Sequence, residues 1–185
     1  MDRKPRVIGL DLSLTSPAIA LPNGDTHTLK PTSKGDLRLT EIRDSISDLI
    51  VQAAEVNPFI LSDEVNLAVI EDLPTHAKSA GITGMVHGIV RGLLIDHAIP
   101  FALIAPATLK AFATGKGSGD KTPMAIAALK RAGREFEDDK GGDQCDAWWL
   151  RAAGLQWLGH PIVDLPAAQV ARLDKAKWPE LAVPR

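Results

Sequence analysis

The spacing of apolar positions changes along the chain in a way that separates strands from helices. Residues 6–12 are almost continuously apolar around one acid, Asp11, which is how a strand covered on both faces reads. Residues 16–21 read the same way. Pro22-Asn23-Gly24-Asp25 then makes a hairpin turn before residues 26–29, so the chain opens with three consecutive antiparallel strands. Leu39, Ile42, Ile46, Leu49, Ile50 and Ala53 recur at three- and four-residue spacing, predicting an amphipathic helix that ends near Asn57-Pro58. Residues 67–70 form a short apolar run closed by Glu71-Asp72 and Pro74, the mark of a central strand whose last residues emerge at its C-terminal edge.

A second helix is predicted over residues 79–97. Gly81, Gly84, Gly88 and Gly92 weaken it locally and serve either close packing on the sheet or a face that also meets a second subunit. Residues 100–105 give a fifth strand, and Pro106 opens a helix at its first turn. A glycine-rich loop, residues 114–121, leads into a helix through about Arg131; a charged loop, residues 134–142, precedes a last helix over 143–158. This is a mixed-sheet α/β order and not a repeated strand-helix-strand one. The sequence divides into a body, residues 1–159, and a tail, residues 160–185, with four prolines and a short helix around 167–175, either docked or frayed.

Composition narrows the class. At 185 residues, 45% hydrophobic and 24% charged, the chain suits one folded domain. No apolar run approaches the roughly 18 residues of a bilayer span, and the charged first residues lack a following apolar core, so no membrane partner and a cytoplasmic location are expected. The single cysteine, Cys145, forms no intramolecular disulfide and reads as a small buried helix residue. A net charge of −2 excludes a generally basic nucleic-acid coat, so any such surface is a local patch.

Asp11 inside an apolar strand needs a compensating cation, because an unpaired buried charge is expensive. Glu71 stands at the end of a second apolar run, and Asp143 and Asp146 lie three apart on one face of the last helix. Each acid alone has an ordinary reading: Asp143 as helix N-cap, Asp146 as a first-turn acid favoured by the helix dipole, Glu71 as a strand-end charge. Together they are four hard-oxygen donors from three elements, a set suited to two Mg²⁺ or Mn²⁺ ions per site and to hydrolysis of a phosphodiester.

Ile8-Gly9-Leu10-Asp11-Leu12-Ser13-Leu14-Thr15-Ser16, Val69-Ile70-Glu71-Asp72, Pro106-Ala107-Thr108-Leu109-Lys110, Gly117-Ser118-Gly119-Asp120-Lys121 and Asp143-Gln144-Cys145-Asp146-Ala147 follow one another in the order and spacing of a known family. The chain resembles the RuvC family of Holliday junction resolvases from about Val7 to Leu158, and a phage-type or otherwise divergent member more than the standard bacterial one. The resemblance implies an RNase H-like fold, with a five-stranded mixed sheet of three antiparallel N-terminal strands and two parallel ones flanked by helices. It implies Asp11, Glu71, Asp143 and Asp146 as metal-binding catalytic acids, with Lys110 and Lys121 near the scissile phosphate. It further implies a homodimer that nicks opposed strands of a four-way junction, leaving 5′-phosphate and 3′-hydroxyl ends. Relatives carry an aromatic or similar wedge shortly after the equivalent of Glu71; here the segment is Asp72-Leu73-Pro74-Thr75-His76-Ala77-Lys78, which leaves Leu73 or His76 for that place.

Lys110, Lys116, Lys121, Lys130, Arg131 and Arg134 concentrate among glycines in one stretch and are the expected DNA contacts, with His76 and Lys78 after the fourth strand. Trp148, Trp149 and Trp157 on the last helix read as core or interface. Two competing functions share these features. The actin and sugar-kinase fold also opens on a Gly-x-Asp strand, but it encloses ATP between two such lobes, and 185 residues supply one. A non-catalytic branched-DNA-binding protein of the same fold fits the altered wedge segment and is opposed by the intact acids.

Overall fold

The computed structural model describes residues 4–54, 65–73, 80–118 and 122–180. Strands β1 (Val7–Asp11), β2 (Ala18–Ala20) and β3 (Thr26–Thr28) form an antiparallel meander; α1 (Leu37–Ala54) leads to β4 (Leu67–Glu71), and α2 (Ala80–Asp96) to β5 (Phe101–Ile104). Three helices follow, α3 (Pro106–Thr114), α4 (Thr122–Ala132) and α5 (Asp143–Trp157), then a short α6 (Ala167–Val170) running into a 3₁₀ turn (Ala171–Lys175). The sheet order is β3-β2-β1-β4-β5. β1 runs antiparallel to β2 and parallel to β4, and β4 runs parallel to β5. The five-stranded mixed sheet is therefore present; β4 extends one residue past its apolar run, to Glu71, and the other four strands are shorter than theirs.

Because strand side chains alternate, the sheet sorts them onto two faces. Ile8, Leu10, Ile19, Ala68 and Ile70 join the buried cluster that packs under α1 and α2. Val7, Ala18, Ala20, Leu67, Val69, Ala102 and Ile104 join the other cluster, with Trp148, Trp149 and Phe112 from α5 and α3. Trp149 is fully buried, donates from Nε1 to the Met124 carbonyl at 3.1 Å and meets Phe112 edge-on. Cys145 is buried in the same cluster, as its helix position predicts.

Two glycines set how close α5 lies. A Cβ built on Gly9 would stand 2.0 Å from the Ala147 carbonyl oxygen, and one built on Gly154 would stand 2.7 Å from methyls of both Val7 and Val69. The helix backbone thus rests directly on β1, with no space for any side chain between them.

The tail is docked. Val163 and Leu173 are buried, Gln169 Nε2 donates to the Phe112 carbonyl at 3.0 Å, and Lys177 forms an antiparallel bridge with Leu103 at the β5 edge. Trp157 of α5 stacks on Trp178 of the tail with ring centroids 4.6 Å apart. Three of the four α2 glycines differ from a packing role: among the described residues nothing comes within 4 Å of a Cβ built on Gly81, Gly88 or Gly92. At helical spacing they share one stripe with Met85 and Ile95, which are 49% and 66% exposed. Among the described residues no helix is long and apolar enough to cross a membrane.

Candidate active site

Strand register brings the first two acids together. Gly9 pairs with Val69 and Leu10 with Ile70 in the parallel ladder, so Asp11 and Glu71 are next in line at the C-terminal edge of adjacent strands. They alternate with Leu10 and Ile70, and therefore lie on the face that α5 covers.

The direction of α5 adds the other two. Gly154 lies against Val7, and Ala147 and Arg151 lie against Gly9, so the helix runs antiparallel to β1. From Gly9 to Asp11 the strand advances about 6.6 Å, which four to five helix residues cover at about 1.5 Å each. That step leads from the 147–151 turn to Asp143 and Asp146. Asp143 shares the sheet-facing stripe with Ala147, Arg151 and Gly154, and Asp146 sits beside it and is buried, 4% exposed. Asp11, Glu71 and Asp143 are half-buried. The elements that carry the four sequence-predicted acids thus converge at one end of one face of the sheet.

The helix start is arranged around them. Asp143 is not the cap of α5: Asp139, from the preceding loop, accepts the backbone N–H groups of Gln144 (3.1 Å) and Cys145 (3.0 Å). Asp143 instead accepts the Ser16 hydroxyl at 2.9 Å from the turn before β2. Neither Ser16 nor Asp139 is signalled by local sequence, since each partner lies across a loop or across the fold. Arg151, also absent from the sequence reading, is buried one turn behind Ala147 and donates to the Pro22 carbonyl at 2.6 Å. Burial and the neighbouring Arg134 guanidinium lower its pKa from the ordinary arginine range.

Four hard carboxylates at the mouth of a water-excluded helix-sheet junction have the chemistry of a divalent-cation site. In the arrangement seen, no three His, Cys, Asp or Glu side chains among the described residues are close enough to one another to hold an ion. The backbone supplies the right edge and face, and the side chains would have to turn inward on a cation.

The predicted basic residues disperse. Lys110 is half-buried on α3, and Lys116 is exposed in the loop after it. Lys130 and Arg131 are exposed in the last turn of α4, with Arg131 donating to the Asp164 carbonyl of the tail at 2.9 Å. Arg134 turns inward, donating to Thr26 Oγ1 at 3.1 Å and lying over the Phe136 ring. Lys121, His76 and Lys78 fall outside the described residues. Of the two wedge candidates, Leu73 lies against α2, 3.8 Å from where a Gly84 Cβ would stand. Asp72, next to Glu71, pairs with Lys177 of the tail at 2.7 Å.

No protein-family model matches this sequence, and no curated protein matches it. Solved structures do. Thermus thermophilus RuvC superposes with a TM-score of 0.59, and T. thermophilus RuvC in complex with a Holliday junction substrate with 0.63. In each, identity is 15%, and the match covers 84% of this chain and 97% of that one. The fold is that of RuvC. At this identity the RuvC likeness establishes architecture, five strands and their flanking helices in RuvC order, and leaves the chemistry to be argued from the side chains.

Proposed function

We propose that this chain is a structure-selective DNA endonuclease that resolves four-way junctions and related branched DNA by metal-dependent phosphodiester hydrolysis, leaving 5′-phosphate and 3′-hydroxyl ends. The observation that supports the reading is that the β1-β4 register and the seating of α5 on Gly9 bring the elements carrying Asp11, Glu71, Asp143 and Asp146 to one edge of a RuvC-like fold. Asp11, Glu71, Asp143 and Asp146 would together hold two Mg²⁺ or Mn²⁺ ions, with Asp143 oriented by Ser16. When bound, such a pair supplies Lewis acidity against the negative charge that grows on the phosphate. Lys110 and Lys121 would add positive charge against the phosphate.

A homodimer belongs to this reading, since a two-fold protein matches a two-fold junction. The stripe of Gly81, Met85, Gly88 and Ile95, exposed on α2 with the half-buried Gly92 among them, supports it, because small residues there let a second helix approach closely. The expected location is cytoplasmic.

The test incubates purified protein with a labelled four-way junction, a linear-duplex control and Mg²⁺ or Mn²⁺. Symmetric nicks on the junction that disappear in Asp11→Asn and Asp146→Asn, with binding and fold retained, are expected. Binding without nicks in either metal would leave a non-catalytic junction-binding protein, and full activity in either variant would remove the acids from the mechanism.

A further inference from the structure

The two flanks of the candidate site carry opposite charge. On the β3 side, the cleft beside Asp143 is lined by the cations Lys30, Arg134 and Lys140 but by twice as many acids, among them Glu135, Glu137 and Asp138, a net negative rim that disfavours a phosphate backbone. On the β5 side, α3 begins directly after the strand end, and its first turn, Gly115, Gly117 and the 3₁₀ turn of the tail line a hollow of about 230 Å³. Among the described residues lining it, Arg172 and Lys175 are the charged ones, and no acid is present.

The hollow is built by specific features. Gly117 folds back onto the first turn of α3, where a Cβ would stand 3.1 Å from the Ala107 carbonyl oxygen, so no side chain fills the space. Gly115 ends α3 at φ 84°, a conformation that glycine adopts without strain. In a 3₁₀ turn, residues three apart eclipse one another, which puts Arg172 and Lys175 on one side and Asp174 on another. Leu173 and Gln169 are buried beneath them and fix the turn against α3. Both cations are exposed, and among the described residues neither makes a hydrogen bond or ion pair. Two like charges held side by side without an acid are a cost that an anionic ligand relieves.

We propose that this hollow is a DNA phosphate subsite in which Arg172 and Lys175 bind a phosphodiester of the strand being cut, adjacent to the scissile linkage. The proposal rests on the nuclease reading. β5 lies two strand spacings, about 10 Å, from β1. A strand with its scissile phosphate over Asp11 and Glu71 then passes a neighbouring phosphate over the start of α3, and the acidic cleft closes the opposite direction. The tail thereby becomes part of the substrate surface, and the Thr108 side chain offers a neutral donor to the same group.

The test compares Arg172→Gln/Lys175→Gln with its parent, both carrying Asp146→Asn so that DNA is bound and not cut. Binding to a labelled four-way junction and to a linear duplex is followed by fluorescence anisotropy across a salt series. Each phosphate contact contributes about 0.9 to the slope of log K against log salt. The double variant is expected to bind both DNAs several-fold more weakly, with a slope shallower by about 1 to 2. An unchanged slope and affinity beside a parent that binds would overturn the subsite alone; a parent that binds neither DNA would overturn the nuclease reading and the subsite with it. If the double variant melts earlier than its parent, Arg172→Lys/Lys175→Arg, which keeps the charge, must restore the slope, and Lys175→Gln alone must lower it by about 1.

Discussion

Alternate residues of the same strands build two very different sides of this sheet. Ile8, Leu10, Ala68 and Ile70 face α1 and α2, where the contacts are apolar and His87 is buried. Burial, with help from Arg91, lowers the His87 pKa from 6.5, so it sits there as a neutral group. Val7, Gly9 and Asp11, with Leu67, Val69 and Glu71, face α5, and there the apolar row ends in carboxylates. The buried polar side chains Asp146, Arg151 and Gln169 all belong to α5 or to the tail behind it. One side serves as foundation, and the other spends stability on a charged edge. The difference comes from what ends each period-2 row: on the α1/α2 side the β1 row stays apolar through Leu12, and on the α5 side the β1 and β4 rows end on acids.

The sharpest way to break this contrast is to change one residue on each side. Asp146→Asn should lower junction cleavage by at least about 10²-fold, roughly 3 kcal/mol in the barrier, with the melting temperature held or raised. Ile70→Val, one face away, should cost about 0.5–1.5 kcal/mol in urea unfolding and leave the cleavage rate per folded molecule as it was. A rate loss from Ile70→Val as large as that from Asp146→Asn would mean the two sides are not separable.

Gly9→Ala tests how α5 is seated. With a methyl carbon 2.0 Å from the Ala147 oxygen, the helix must lift, at a cost of about 1–3 kcal/mol or more, and Asp143 and Asp146 move with it. Reduced unfolding free energy together with weaker Mn²⁺ binding is expected; a variant as stable as wild type would refute the close contact. Asp139→Ala removes the cap of α5 and should cost about 0.5–2 kcal/mol, read by thermal melting. On the opposite side, Gly88→Ala replaces a helical glycine whose Cβ would meet none of the described residues within 4 Å and should add up to about 1 kcal/mol to the stability of the isolated protomer. If α2 is the dimer seam, the same change should shift sedimentation toward monomer.

The smallest effect is electrostatic and lies on the α1 side. Glu41 accepts the backbone N–H groups of Thr32 (2.9 Å) and Ser33 (2.7 Å), and those bonds hold its pKa at about 2, against 4.5 for an ordinary glutamate. A folded-state pKa below the unfolded one gives stability that is full above pH 4.5 and lost as pH falls toward 2. Acid titration of Glu41→Gln should therefore be flatter than wild type through that window. An identical pair of curves would show that the loop before α1 is not held by this carboxylate.

Much of the architecture is legible in the sequence because it rests on periodicity. The continuous apolar run around Asp11, the three- and four-residue spacing from Leu39 to Ala53, and the hairpin turn at Pro22-Asn23-Gly24-Asp25 each specify an element locally, and each element formed. The four acids stand out as polar residues at the ends of apolar runs. The basic stretch is less legible: Lys110, Lys116, Lys130, Arg131 and Arg134 are near in sequence, yet α4 and its flanking loops send them in different directions, and Arg134 turns inward onto Phe136.

What the sequence by itself determined is therefore the elements, their order and which residues face a core, since burial imposes its period on every strand and helix. What the tertiary structure decided is who meets whom. Ser16 bonding to Asp143 across 127 residues, Asp139 capping α5, Arg151 reaching Pro22 and the tail closing on α3 all depend on the angle and distance at which α5 crosses β1. Those are set by the packing of Gly9 and Gly154 against partners far along the chain, and no local pattern encodes such a contact.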